Sequence, residues 1–167
     1  MKKVIKTFLI LTFISTGVDA YNEYMVAFFT EGDDPMQESC DILVADYTTV
    51  CIRMWIRNEL AARGLKGFEL GVDFDSEDFV AAEGNPGVPS IIGDLTTTAF
   101  AGAFQECQAT DWVWIVKYSL IYMGEPHYVY AVPNSDTGNF IVTSCESGFP
   151  KYNLLEGNMF GVNLPCG

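Results

Sequence analysis

From Asp111 onward apolar residues recur at every second position, and this alternation constrains the fold more than any other feature of the chain. An extended strand presents alternate side chains to one face, whereas a helix spreads the same residues around its circumference. The pattern predicts a long strand over Trp112 to Met123 and a three-residue turn at Gly124-Glu125-Pro126. A return strand follows from His127 to Val132, then a second turn over Pro133 to Gly138 and a third strand from Asn139 to Cys145. Strands this closely spaced are expected to pair as an antiparallel meander.

If the first turn closes a hairpin, Met123 pairs with His127, Tyr122 with Tyr128 and Leu120 with Tyr130. One face then carries Trp112, Trp114, Tyr118, Tyr122, Tyr128 and Tyr130. Such an aromatic ladder is either the inner face of the sheet or a flat platform on which sugar rings can stack.

Upstream, apolar residues at Met36, Cys40, Leu43, Val44, Tyr47, Cys51, Met54 and Trp55 follow the three-to-four spacing of a helix face. Asp34 is placed to cap it, Pro35 suits the first helical position, Gln37 completes a capping box, and Gly64 suits the residue after its end. Acids crowd the start and Arg53, Arg57 and Arg63 the end, as the helix dipole favours. The expected fold class is therefore α+β: an antiparallel sheet, chiefly the C-terminal three-strand meander, packed against one long helix and stapled by disulfides. Between helix and meander, Gly67 to Phe74 reads as a strand. Asp75 to Asp94 reads as a Gly/Pro-punctuated loop and Leu95 to Cys107 as a second helix.

The N-terminus reads as a secretory leader over residues 1–20. Lys2, Lys3 and Lys6 precede the apolar run Val4 to Ile14, and Val18 and Ala20 supply the small residues of a cleavage site. Residues 21–167 are then one exported domain, periplasmic or secreted. Elsewhere no run approaches the roughly 20 apolar residues of a membrane span. The whole chain has a formal net charge of −13; without Lys2, Lys3, Lys6 and Asp19 it keeps 6 basic and 21 acidic side chains, a net of −15. That charge argues against nucleic acid and favours a cationic protein partner, a hydrolase or toxin.

All five cysteines, Cys40, Cys51, Cys107, Cys145 and Cys166, lie in the exported part, which implies two disulfides and one leftover thiol. Cys40 and Cys51, read as sharing a helix, would be roughly 16 Å apart, too far to bond to each other. The other pairings stay open. No zinc-ligand spacing and no nucleophile-elbow, phosphate-loop or dinucleotide motif occurs, so neither a metal nor a cofactor is implied. His127 is the only histidine and stands at an expected exposed turn. Cys145 is the nearest candidate nucleophile beside it.

Two surface segments are candidate partner-binding sites. One is the acidic cluster Asp73, Asp75, Glu77 and Asp78, which departs from a calcium loop because Asp78 stands where glycine is needed and Gly84 where glutamate is needed. The other contains Ser147, Gly148, Lys151 and Tyr152. The run Ser147-Gly148-Phe149-Pro150-Lys151-Tyr152 resembles the S-G-x-x-Y loop of bacterial periplasmic lysozyme-inhibitor families, with one extra residue before the tyrosine. That resemblance implies a small exported protein that blocks the cleft of a cell-wall hydrolase with a loop. The first expectation is thus a binding protein without catalytic activity, an inhibitor or immunity protein. The alternatives are a carbohydrate-binding module using the aromatic ladder and a small secreted hydrolase or toxin.

Overall fold

A computed structural model describes residues 24–59, 63–75 and 78–167. The expected leader lies outside these residues. Among them the protein is nearly all β, with twelve strands and no helix longer than one turn. The strands are β1 (Tyr24–Thr30), β2 (Asp41–Ile42), β3 (Thr49–Asn58), β4 (Leu65–Asp73), β5 (Phe79–Gly84) and β6 (Ser90–Gly93). They continue with β7 (Phe100–Gln108), β8 (Trp112–Ile121), β9 (His127–Val132), β10 (Ile141–Ser144), β11 (Lys151–Glu156) and β12 (Phe160–Val162). They form one mixed sheet in the order β2-β12-β9-β4-β10-β11-β1-β3-β8-β5, with β7 joined to β4 and β6 to β7. None of the described helices is long and apolar enough to cross a membrane.

The expected long helix is absent, so the α+β reading is corrected to an all-β fold. The Asp34 cap does form: its carboxylate accepts from the Met36 and Gln37 nitrogens. It starts only a single 3-10 turn, Pro35–Gln37. Of the supposed helix face, Met36, Leu43 and Tyr47 are 73%, 84% and 74% exposed. From Val50 the burial period is two: Val50, Ile52, Met54 and Ile56 are all buried. The β-branched run Thr48-Thr49-Val50 resists helix and suits a pleated surface, and its last two residues open β3 rather than forming a bend in a helix.

The second expected helix is likewise a strand, β7. Asp94 folds back on Thr96 and Thr97 in a side-chain-capped turn. Phe100 and Phe104, four apart, are buried on one face, because a spacing of four satisfies a strand as well as a helix. The expected loop from Asp75 to Asp94 contains β5 and β6.

The meander is also corrected, since its three strands exist but are not neighbours. β8 lies between β3 and β5, β9 between β12 and β4, and β10 between β4 and β11. Past Ile121 the chain continues along β3, with Tyr122 N–H donating to Thr48 O and Tyr47 N–H to Tyr122 O. Met123 N–H then donates to the Asp78 carboxylate instead of a hairpin partner. The ladder with β3, nine residue pairs long, prevails over the local turn.

Inward residues from strands far apart in the sheet form a single core. Phe28, Ile52, Met54, Tyr118 and Leu120 come from one end, and Leu70, Val129, Val142, Phe160 and Val162 from the other. Each fully buried aliphatic or aromatic side chain contributes about 1.5–3 kcal/mol. Two disulfides, Cys40–Cys166 and Cys107–Cys145, tie loops to strand ends with Cα separations of 5.5 and 5.8 Å, and Cys51 is the free thiol. Cys40 and Cys51 indeed do not bond to each other, but no helix is involved.

Candidate functional site

The aromatic ladder is divided by one backbone irregularity. Met54 pairs with Val116 and Trp55 with Trp114, so Ile115 is an extra residue on β8, a β-bulge. Before the bulge the odd positions Val113 and Ile115 face the core; after it the even positions Val116, Tyr118, Leu120 and Tyr122 do. Tyr118 and Tyr122 are therefore core, whereas Trp112 and Trp114 are turned outward and half-buried. Tyr128 and Tyr130 lie on β9, remote in the strand order.

On the outward face, register sets Trp112 beside Arg57, Trp114 beside Trp55, and Trp55 beside Ala27. The Arg53 guanidinium carbon stands 5.2 Å from the Trp114 ring centre and that of Arg57 stands 5.9 Å from Trp112. The Phe29 ring meets Trp112 edge-on at 5.8 Å. Positive charge and aromatic faces thus interleave within cation–π range. Acids balance the cations: Arg53 lies 3.6 Å from Glu31 and 3.3 Å from Asp33, Arg57 3.0 Å from Glu59, and Lys117 2.7 Å from Glu31. Hydrogen bonding from Lys117 holds the Glu31 carboxyl below its ordinary pKa, and Glu31 in turn raises that of Lys117. The face is electrically mixed, and most of the protein's negative charge lies elsewhere.

Two cavities border Trp112. One, about 260 Å³, is lined by Asp33, Arg53, Trp55, Asn85, Thr110 and Trp114 among others; the second, about 470 Å³, by Met36, Arg57, Asn58, Glu59 and Asp111. Asn85 steadies the first by donating to Trp114 O while accepting from Gly87 N–H. Along β3, Arg53 Nε and Trp55 Nε1 on the outward face are buried without a hydrogen-bond partner, as are both ends of the Asn58 amide on the opposite, inward face. A buried polar group left unpaired costs about 1–3 kcal/mol, so two on alternating outward positions of one strand, Arg53 and Trp55, call for a function.

The acidic cluster is dispersed. Asp73 accepts from Asp75 N–H and Asp75 is exposed, while Glu77 lies outside the described residues. The Asp78 carboxylate is buried, accepting from Met123 N–H and standing 3.3 Å from His127 Nε2. His127 is buried rather than exposed at a turn. Its Nδ1 donates to Glu125 O and its ring stacks on Tyr122. Cys145 is in a disulfide, so it cannot serve His127 as a nucleophile.

In the other segment Ser147, Gly148, Phe149 and Lys151 are exposed. Tyr152 is not a free tip: its hydroxyl donates to Glu146, its ring lies 5.7 Å from that of Tyr24, and Arg63 covers it at 5.3 Å. That hydrogen bond is the main cause of a lowered Glu146 pKa. The two segments also fail to converge. Ser144, just before one, pairs with Leu65, whereas Asp73 ends the same strand eight residues on, roughly 26 Å away.

Phe29, Arg53, Trp55 and Arg57 were not expected in a site, because three of them fell in the supposed helix. The signal was present as the alternation of Cys51, Arg53, Trp55 and Arg57 with Val50, Ile52, Met54 and Ile56. Neither a family model nor a curated protein matches this chain.

Proposed function

We propose that the protein is an exported, non-catalytic binding module whose outward β1-β3-β8 face takes a glycan. The observation that carries this reading is Trp112. The bulge turns it outward, and it borders two cavities, the first lined by Arg53 and Trp55, whose buried N–H donors have no partner. Sugar rings stack their C–H faces on indole, and their hydroxyls accept hydrogen bonds, which suits the unpaired Arg53 and Trp55 N–H donors. Paired acids and bases on the face favour a neutral or weakly charged sugar over a polyanion. The two disulfides are compatible with an oxidising, extracytoplasmic setting.

The test is calorimetry and tryptophan fluorescence with soluble β-glucan, chitin oligosaccharides and peptidoglycan fragments. Binding to at least one is expected, with Trp112→Ala and Trp114→Ala each weakening it about tenfold or more, the scale of a lost aromatic anchor. Binding untouched by either substitution would reject the site.

A second reading has its own observation. Phe149, 57% exposed at a positive φ beside Gly148, projects from the segment that resembles lysozyme-inhibitor loops. An acidic protein with such a tip suits the cleft of a cationic cell-wall hydrolase. Inhibition of such an enzyme, abolished by Phe149→Ala and weakened by salt, would favour it.

A further inference from the structure

Among the described residues the sheet ends on three strands, each hydrogen-bonded to one neighbour only: β2, β6 and β5. Exposed strand edges invite pairing with another chain, and proteins usually blunt them with short strands, proline, lysine or a bulge. β2 is two residues long and adjoins the Cys40–Cys166 bridge. β6 has four residues, with Pro89 before it and Gly93 at φ +89° closing it. β5 shows none of these devices. Its ladder to β8 runs unbroken from Phe79↔Ile121 to Gly84↔Val116, over six residues without proline, lysine or arginine. Phe79 is 71% exposed on its outward side, next to the partly exposed Ile121.

We propose that two copies of this chain join edge to edge through β5, antiparallel about a twofold axis at Ala81. A twofold axis normal to the sheet keeps outward side chains on the same side, so only residues of equal parity can stand opposite each other. An axis at Ala81 sets Ala81 against Ala81 of the second copy, Val80 against its Ala82, and Phe79 against its Glu83. No like charges then stand directly opposite, and Glu83 retains Lys117 as its cross-strand neighbour within its own copy. The pairing makes one continuous sheet with both β1-β3-β8 faces on the same side.

Five residue pairs bury less surface than a standard interface of about 1,200–2,000 Å², so the association is weak and concentration-dependent. The strong net negative charge of each copy opposes it at long range, and salt therefore strengthens it. The inference stands apart from what the outward face binds.

The test is sedimentation equilibrium on residues 21–167 carrying Cys51→Ser, which removes the free thiol as a competing route to dimers. A mass rising from one chain to two with concentration, more readily in added salt, is expected. Ala81→Lys, which sets two ammonium groups face to face at the axis, should weaken the dimer at least tenfold while leaving circular dichroism and melting unchanged. Ala81→Cys in the same background should cross-link two copies under mild oxidation, whereas Glu83→Cys, far from its own symmetry mate, should not. A monomer at every concentration and salt, or a dimer indifferent to Ala81→Lys and not cross-linked through position 81, would overturn the proposal.

Discussion

Tyr118 and Trp112 are aromatics of one strand with opposite duties, and substitution separates them. The Tyr118 ring is fully buried against Phe74 and its hydroxyl donates to Leu95 O; burial keeps that hydroxyl protonated, with a pKa well above its ordinary value. Tyr118→Phe is expected to cost about 1 kcal/mol in denaturant unfolding, and to leave glycan affinity unchanged. Trp112→Ala should do the reverse. Glu31 gives a pH signature. Its folded carboxyl titrates below the ordinary 4.5 because Lys117 bonds the ionised form. The resulting stability is present above that value and lost as pH falls through the folded one. Glu31→Gln should therefore melt earlier than the parent near neutrality, and the difference should shrink toward zero in acid.

At the scale of the element, the bulge at Ile115 decides which face each side of β8 presents. Deleting Ile115 would bring Val113 outward and drive both Trp112 and Trp114 into a filled core, or break the ladder with β3. A loss of more than about 4 kcal/mol, or no soluble protein, is expected from equilibrium unfolding and expression trials. β8 itself was legible in the sequence, because its alternation survives one inserted residue. The face of its tryptophans was not, since parity counted across a bulge gives the wrong side. β3 was misread for a definite reason: Met36, Leu43 and Tyr47 mimic helix spacing, although they are exposed loop residues. The Asp34 cap was real, but a cap gives only the start of a helical turn and not its length. Trp112 and Trp114 were weighed as a glycan platform from the sequence; the arginines and Trp55 beside them were hidden by the supposed helix.

For the whole molecule, strand order was beyond reach of any local signal. β1 pairs in parallel with β11 at the other end of the chain, and β12 in parallel with β2. Such pairings depend on the total fit of the core rather than on turn residues. The same long reach makes the disulfides unequal. Cys40–Cys166 spans 126 residues and Cys107–Cys145 spans 38. On loop-closure entropy, each contributes about 2–4 kcal/mol, the longer about 1 kcal/mol more. Paired Cys→Ala variants compared by urea unfolding should show that ordering. The shorter loop is also nested wholly inside the longer one. A protease that severs one peptide bond anywhere between Cys40 and Cys166 therefore releases nothing: the two fragments remain one covalent body, and the sheet can hold its shape around the nick.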